Sequence, residues 1–236
     1  MENRDMQISV VIPTYNEAES IVPAIEALRQ QGFDQIIVSD GDSTDDTVSL
    51  ARAAGSRVVE SARGRGVQMN AGAELASGDW LLFVHADTIL PSRARRLIET
   101  ATEVPRVLGG AFHLRFDSSS MLTRLQSFAS NLRSYYAVPF GDQALFVCRE
   151  FFRKSGGFRA MGLMEDVDLA RRIRKHGRLK MIRIPVTTSA RRYRARGFFR
   201  TVITNQLLLA AFYLGVSPER LARFYRYRSP VDSMKA

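Results

Sequence analysis

Three aspartates stand where chemistry could be done. Asp40 and Asp87 each follow a short apolar run, Gln35-Ile36-Ile37-Val38-Ser39 and Trp80-Leu81-Leu82-Phe83-Val84, and so fall where a strand runs out into a loop. Asp166 lies between Glu165 and Asp168 at the head of a stretch with Leu169 and Ile173 at helical spacing, a basic second half and Gly177 as a stop. Acid at the start and base at the end suit a helix dipole, so capping alone could explain Asp166. Carboxylates at three element ends suggest more. Such groups take protons from hydroxyls, hold hard cations through oxygen and accept hydrogen bonds from N–H donors.

The elements that must position them alternate. Ile8–Ile12 is a β-branched run broken by Pro13; Asn16, three before Glu19, has capping-box spacing, and Ile21, Ile25 and Leu28 form a helical stripe ended by Gly32. Gln35–Ser39 is a second strand, Ser43 and Asp46 open a second helix closed by Gly55, and Arg57–Glu60 is a third strand. A helix around Val67–Ala76 and the Trp80–Val84 strand follow. This rhythm predicts βαβ units and a mostly parallel sheet flanked by helices. Ligands of such sheets bind at the carboxyl ends of the strands, where Asp40 and Asp87 lie. Beyond Pro91 the pattern predicts a helix near Ser92–Thr102, a strand at Ala111–Phe116, a helical region to Tyr136, a strand carrying Cys148, and a strand Leu179–Ile184 ended by Pro185.

Length and composition bound the rest. A chain of 236 residues with 45% hydrophobic content suits one large α/β domain, with or without an appendage. The single cysteine, Cys148, excludes an internal disulfide and points to a core position in a reducing compartment. The polar N-terminus leads into a strand with no signal-peptide pattern. Net charge is +10 but uneven: from Arg171 to Arg228 sixteen Lys and Arg accompany one acid, Glu219. A basic C-terminal part joined to an acidic first part suggests a polyanionic partner, whether nucleic acid, anionic lipid or a phosphorylated substrate. The run Leu207–Leu214 is eight apolar residues, against the roughly 20 that a spanning helix needs. Residues 198–225 could form a buried helix, a homodimer contact or a helix lying in a membrane interface.

Motif order narrows the function. Val11-Ile12-Pro13-Thr14-Tyr15-Asn16-Glu17, Val38-Ser39-Asp40-Gly41-Asp42-Ser43-Thr44-Asp45-Asp46-Thr47, Gly64-Arg65-Gly66 through Gly72, Val84-His85-Ala86-Asp87-Thr88, Gly141-Asp142-Gln143, Gly156-Gly157-Phe158 and Glu165-Asp166-Val167-Asp168-Leu169 appear in series. As a set they resemble family 2 glycosyltransferases over residues 8–185. The resemblance implies a GT-A, Rossmann-like fold, with a transferase domain at 1–190 (donor half to about 90, acceptor half beyond) and a basic helical extension at 191–236. It implies transfer from a UDP- or GDP-sugar to a hydroxyl acceptor with inversion, a Mg²⁺ or Mn²⁺ cofactor, a cytoplasmic location with possible peripheral membrane contact, and no nucleic-acid partner.

Site residues follow from the same resemblance. Pro13, Tyr15, Glu17, Asp40, Arg65 and Asp87 would hold the nucleotide sugar. Asp87 would bind the metal, although His85 stands where the family carries the first aspartate of its Asp-x-Asp. Asp166 would be the general base, and His85, Gln143 and Glu165, with Asp142 beside them, would line the acceptor or sugar pocket. Asp45 and Asp46 read as capping residues. Arg191 and Arg192, in Ser189-Ala190-Arg191-Arg192-Tyr193, could clamp the departing diphosphate or be solvated charges. The combination of His-Ala-Asp-Thr, Glu-Asp-Val-Asp-Leu and Ser-Ala-Arg-Arg-Tyr further resembles a small bacterial subgroup linked with radical-SAM enzymes and arsenosugar biosynthesis. Two other classes remain. A sugar-nucleotide nucleotidyltransferase would need a glycine-rich basic loop after the first strand, where Pro13–Glu17 stands instead; a non-enzymatic lipid- or nucleic-acid-binding module would rest on the C-terminal arginines alone.

Overall fold

The computed structural model describes residues 6–136, 138–190, 193 and 197–227. In chain order the first half comprises β1 (Ile8–Thr14), α1 (Ala18–Gln30), β2 (Gln35–Asp40), α2 (Thr47–Ala53), β3 (Arg57–Glu60), α3 (Arg65–Glu74), β4 (Trp80–Phe83), β5 (Thr88–Ile89) and α4 (Ala94–Thr102). The second half holds β6 (Val107–Phe116), α5 (Met121–Tyr136), a 3-10 turn (Gly141–Gln143), β7 (Phe146–Cys148), α6 (Arg149–Lys154), α7 (Glu165–His176), β8 (Arg178–Thr188), α8 (Phe198–Tyr213) and α9 (Pro218–Tyr227).

Eight strands form one sheet in the order β3-β2-β1-β4-β7-β6-β8-β5. Pairings among β3, β2, β1 and β4, and between β6 and β8, are parallel; β7 runs antiparallel to both of its neighbours, and β5 antiparallel to β8. The antiparallel insertion leaves β6 running in the same sense as β4, so loops from both halves of the sheet emerge at one end. Alternate residues of each strand feed opposite layers. Val10 and Ile12 join Ile25, Phe33, Ile98, Phe112 and Phe146 on one face, while Val11 joins Met69, Leu81, Phe158, Leu169 and Ile173 on the other. Both faces are buried, as parallel sheets require.

Local chemistry departs from the sequence expectation in three places. The N-cap position of α1 is Glu17, and Asn16, at φ 53°, instead accepts the Thr44 N–H through its side chain (2.9 Å). Asp46 holds the N-cap position of α2 as expected but makes no side-chain cap bond, and the neighbouring Asp45 supplies it. Its two oxygens accept the N–H groups of Thr47 and of Ala18 (both 3.1 Å), so one carboxylate serves the first residues of two helices. Pro185 does not end β8. The strand continues to Thr188 because a register shift opposite Phe112 and His113 absorbs the residue that cannot donate to the ladder.

The described helices beyond residue 197 pack against α7 and the loop before it. Leu208 and Leu209 of α8 and Leu221 of α9 share a third apolar cluster with Val138, Met164, Val167 and Ala170. Among the described residues no helix is long and apolar enough to cross a membrane.

Slight burial pushes the Asp45 carboxyl up, but the Thr47 hydroxyl and the Ala18 and Thr47 N–H groups outweigh it and hold the group below the usual aspartate range. A lowered folded value stabilises above the unfolded value and is lost as pH falls through the folded one. Asp45→Ala should therefore cost about 1 kcal/mol at pH 7, measured by urea unfolding, with the difference vanishing toward pH 3.

Candidate active site

The carboxyl ends of β1 and β4 meet the head of α7 in a cleft lined by Pro13, Arg65, His85, Gly141, Glu165 and Asp166. Asp166 is buried at the start of α7. One oxygen accepts the Gly141 N–H (2.5 Å) and the other its neighbour Val167 N–H (2.7 Å), which fixes the carboxylate plane. A Cβ added to Gly141 would lie 3.2 Å from Asp166 Oδ2 and 3.7 Å from His85 Nε2, so these groups converge on one spot. Only a residue without a side chain leaves that spot open.

Glu165 faces Arg65 at 3.2 Å. Burial pushes the Glu165 carboxyl up, Arg65 pulls it back, and the like charge of Asp166 adds to the push; the net direction is upward. The Glu165 charge holds the Arg65 guanidinium firmly protonated. Arg65 remains 41% exposed at its side chain, so the pair closes one side of the cleft while keeping a cation at its mouth.

The loop ahead of α7 is tied down from two sides. Arg172 donates to Asp168 (2.8 Å), to the carbonyls of Ser155 (2.9 Å) and Gly157 (2.6 Å), and to the Ser155 hydroxyl (3.0 Å). The Asn70 amide of α3 donates to Phe158 O (2.8 Å) and accepts from Phe158 N–H (2.9 Å). Gly157 sits at φ 64°, a backbone state that favours glycine. Asn70, Asp168 and Arg172 are positioning residues that sequence reasoning left without a role; Asn70 and Asp168 lie inside the motifs, and Arg172 lies one helical turn beyond Asp168.

Several expected contacts are reassigned. Asp40 ends β2 as expected, but it is fully buried, and its carboxylate already accepts the hydroxyls of Thr14 (2.9 Å) and Ser43 (2.6 Å) and the Ser43 N–H (2.8 Å). It builds the loop wall between the ends of β1 and β2. The acid this loop exposes is Asp42, at φ 67°. Gln143 is completely buried and so does not line a sugar pocket. Its carbonyl accepts Ser134 Oγ (2.6 Å) and Phe140 N–H (3.1 Å), and its amide donates to Phe112 O (2.9 Å). It holds the turn that presents Gly141.

Gln68, buried in α3, was likewise missed: its amide donates to Thr14 O (2.6 Å) and Ser39 O (3.1 Å), locking the ends of β1 and β2 together. Tyr15 follows β1 with the Arg63 guanidinium stacked 3.7 Å over its ring. Glu17 heads α1, its N–H donating to Thr47 Oγ1 (2.8 Å). Asp87 is half-buried two residues beyond His85, in a turn closed by Thr88 N–H to His85 O (3.0 Å). Among the described residues no three His, Cys, Asp or Glu side chains form a ready metal cage. Arg191 and Arg192 lie outside the described residues.

Residues 9–162 match the sequence profile described as Glycosyl transferase family 2, and the chain belongs to that family. Among curated proteins it is 35% identical over 109 residues to the glycosyltransferase AglJ of Haloferax volcanii, covering 44% of this chain and 36% of that one. It is 38% identical over 102 residues to the succinoglycan biosynthesis protein ExoO of Rhizobium meliloti, covering 40% and 29%. The alignments thus span about a third of those relatives. The mannosyltransferase PcManGT of Pyrobaculum calidifontis, solved with GDP-Man and Mn²⁺, superposes with TM-score 0.66 at 22% identity, covering 98% of this chain and 72% of that one. Glucosyl-3-phosphoglycerate synthase of Mycobacterium tuberculosis, solved with Mn²⁺, UDP-glucose and phosphoglyceric acid, superposes with TM-score 0.58 at 21% identity, covering 78% and 72%. The fold is GT-A.

The raised Glu165 carboxyl has a stability consequence. A group raised in the folded state stabilises fully below its unfolded value and loses that contribution as pH rises through the folded one. Glu165→Gln should therefore gain melting temperature relative to the wild type as pH is raised from 4 to 8; a constant or falling difference would contradict the direction assigned.

Proposed function

We propose that the cleft transfers a sugar from a UDP- or GDP-sugar to a hydroxyl acceptor, with inversion at the anomeric carbon and Asp166 as the base. The observation that carries this reading is the meeting of Asp166, His85, Arg65 and the bare Gly141 backbone at one cleft, in a chain of this family.

The chemistry needs one base. As the acceptor oxygen bonds to the anomeric carbon, its proton passes to Asp166 and the bond from that carbon to the diphosphate oxygen breaks. A single displacement has no covalent intermediate, unlike the paired-carboxylate route of retaining hydrolysis. Glu165 is committed to Arg65, which leaves Asp166 as the carboxylate with that task. Gly141 and Val167 fix its orientation, and the proximity of base and acceptor supplies much of the rate. Arg65 sits where a permanent cation can meet a diphosphate. Tyr15 with its stacked Arg63, and the outward Asp42, offer a platform and an acceptor for the base; Pro13 and Glu17 complete that end.

A hard divalent cation, Mg²⁺ or Mn²⁺, fits the donor chemistry of Asp87, an oxygen ligand in the same turn as His85. One carboxylate is too few for an all-protein site, so the diphosphate and water would complete the shell; when bound, the cation offsets charge on the departing diphosphate. The solved relatives named above carry Mn²⁺ beside nucleotide sugars, which supports the assignment. The likeness to the radical-SAM-linked subgroup belongs to the same reading and concerns the acceptor.

Asp166→Asn should lower kcat by about 10²–10⁴-fold while donor affinity, read by calorimetry with UDP- and GDP-sugars, stays within a few-fold; unchanged turnover would remove Asp166 as base. Chelation should abolish transfer and Mn²⁺ or Mg²⁺ restore it, with Asp87→Ala needing far more metal. Full activity in excess EDTA would exclude the cation.

A further inference from the structure

Helix α5 is built inside out. Amphipathic surface helices normally turn their apolar stripe inward. Here the inward row is Thr123, Ser127, Ser130 and Ser134, all buried, while Met121, Leu125, Phe128, Leu132 and Tyr135 point outward at four-three-four-three spacing. Met121 is 85% exposed, Leu125 64% and Phe128 65%. The inward hydroxyls bond within the helix and its lead-in: Ser127 to Thr123 O (2.8 Å), Ser134 to Ser130 O (2.7 Å) and Thr123 to Ser120 O (2.8 Å). Asn131 meanwhile pairs with the Leu114 N–H (2.7 Å) and carbonyl (3.0 Å) on β6. The helix is therefore anchored by polar contacts, and its apolar row is left for another surface.

Along the flank of α5 that carries Arg124, Ser127 and Asn131 lies a second cavity of about 430 Å³, also lined by His113, Arg115, Ser118 and Arg183, with no acidic side chain in its wall. His113 Nε2 is shielded from solvent and bonds to no protein group. The nearby acid Asp117 accepts the Ala190 N–H (2.7 Å). Three arginines, an imidazole and a hydroxyl make a site for a phosphate group. Arg115 also reaches Thr187 Oγ1 (3.0 Å), which holds one wall in place.

We propose that this face docks on an anionic phospholipid surface, with the α5 row sunk among the acyl-chain ends and a headgroup phosphate seated in the Arg115–Arg124–Arg183 cavity. Charge chooses this occupant. The sequence has no acid between Asp117 and Asp142, and none between Asp168 and Glu219. Two copies meeting on α5 would oppose arginines, whereas an anionic bilayer meets both the apolar row and the cations. Helix α8 turns a second row outward, Phe199, Ile203 and Leu207, with Arg200 beside it and no acid along its length. The inference is independent of sugar transfer, but it has a bearing on the cleft. Ser134 of α5 bonds to Gln143, and Arg174 of α7 donates to the Ser134 (3.0 Å) and Tyr135 (3.1 Å) carbonyls, so the docking helix is tied to the elements carrying Gly141 and Asp166.

The test is flotation of the full chain with phosphatidylcholine vesicles, with and without 30% phosphatidylglycerol. The wild type should float with the anionic vesicles and release at high salt. The pairs Leu125→Ser/Phe128→Ser and Arg124→Gln/Arg183→Gln should each weaken partitioning about tenfold or more, with circular dichroism and melting temperature close to wild type. No binding to anionic vesicles, or binding unchanged in both variants, would overturn the proposal. So would a Leu125→Ser/Phe128→Ser variant that turns a dimer into a monomer while vesicle binding persists, since the face would then be a self-contact. Inorganic phosphate raising the melting point without any vesicle binding would make the cavity a soluble-anion site and overturn it equally.

Discussion

The buried amide of Gln143 ties together the parts on which the cleft depends. It bonds to Phe112 on β6, to Ser134 on α5 and to the Phe140 N–H that opens the turn before Gly141. A buried primary amide left unpaired costs roughly 1–3 kcal/mol per lost partner, so this junction has one arrangement. Its outcome is a glycine N–H aimed at Asp166, where any side chain would fill the space between that carboxylate and His85. Positioning a reacting group within a fraction of an ångström requires such over-determined backbone.

Acidic residues in this chain do different jobs, and their partners decide which. Asp40 is consumed by three internal donors and becomes a strut; Asp45 caps two helices; Asp168 anchors Arg172 and through it the loop before α7; Asp166 alone combines a cleft position with donors that orient it and leave it facing open space. Glu165 pairs with Arg65 at a cost in desolvation that shows as its raised carboxyl. A buried carboxylate is tolerated only when its charge is met, and each of these is met differently.

Packing of the C-terminal helices adds a second constraint. The inner residues of α8 and α9 cover α7 and Met164, completing the wall behind Asp166. Arg200, Arg220 and Arg223 therefore sit on helices that belong to the same packed body as the cleft. Their outward residues include Phe199, Ile203 and Leu207, exposed as the outer row of α5 is.

The alternation of apolar runs with helical stripes was enough to determine the βαβ half, the helix ends at Gly32, Gly55 and Gly177, and the placement of Asp40, Asp87 and Asp166 at element ends, because hydrophobic period and glycine backbone freedom are local properties. Motif order likewise identified the family, since it is a property of the chain and not of its packing. Tertiary structure alone decided that β7 runs antiparallel, that Pro185 stays within a strand, that Gln143 and Asp40 face inward, and that α5 turns its leucines out. Each of those outcomes depends on which distant group supplies a hydrogen bond or covers a side chain, and period and spacing carry no record of partners far away in the chain.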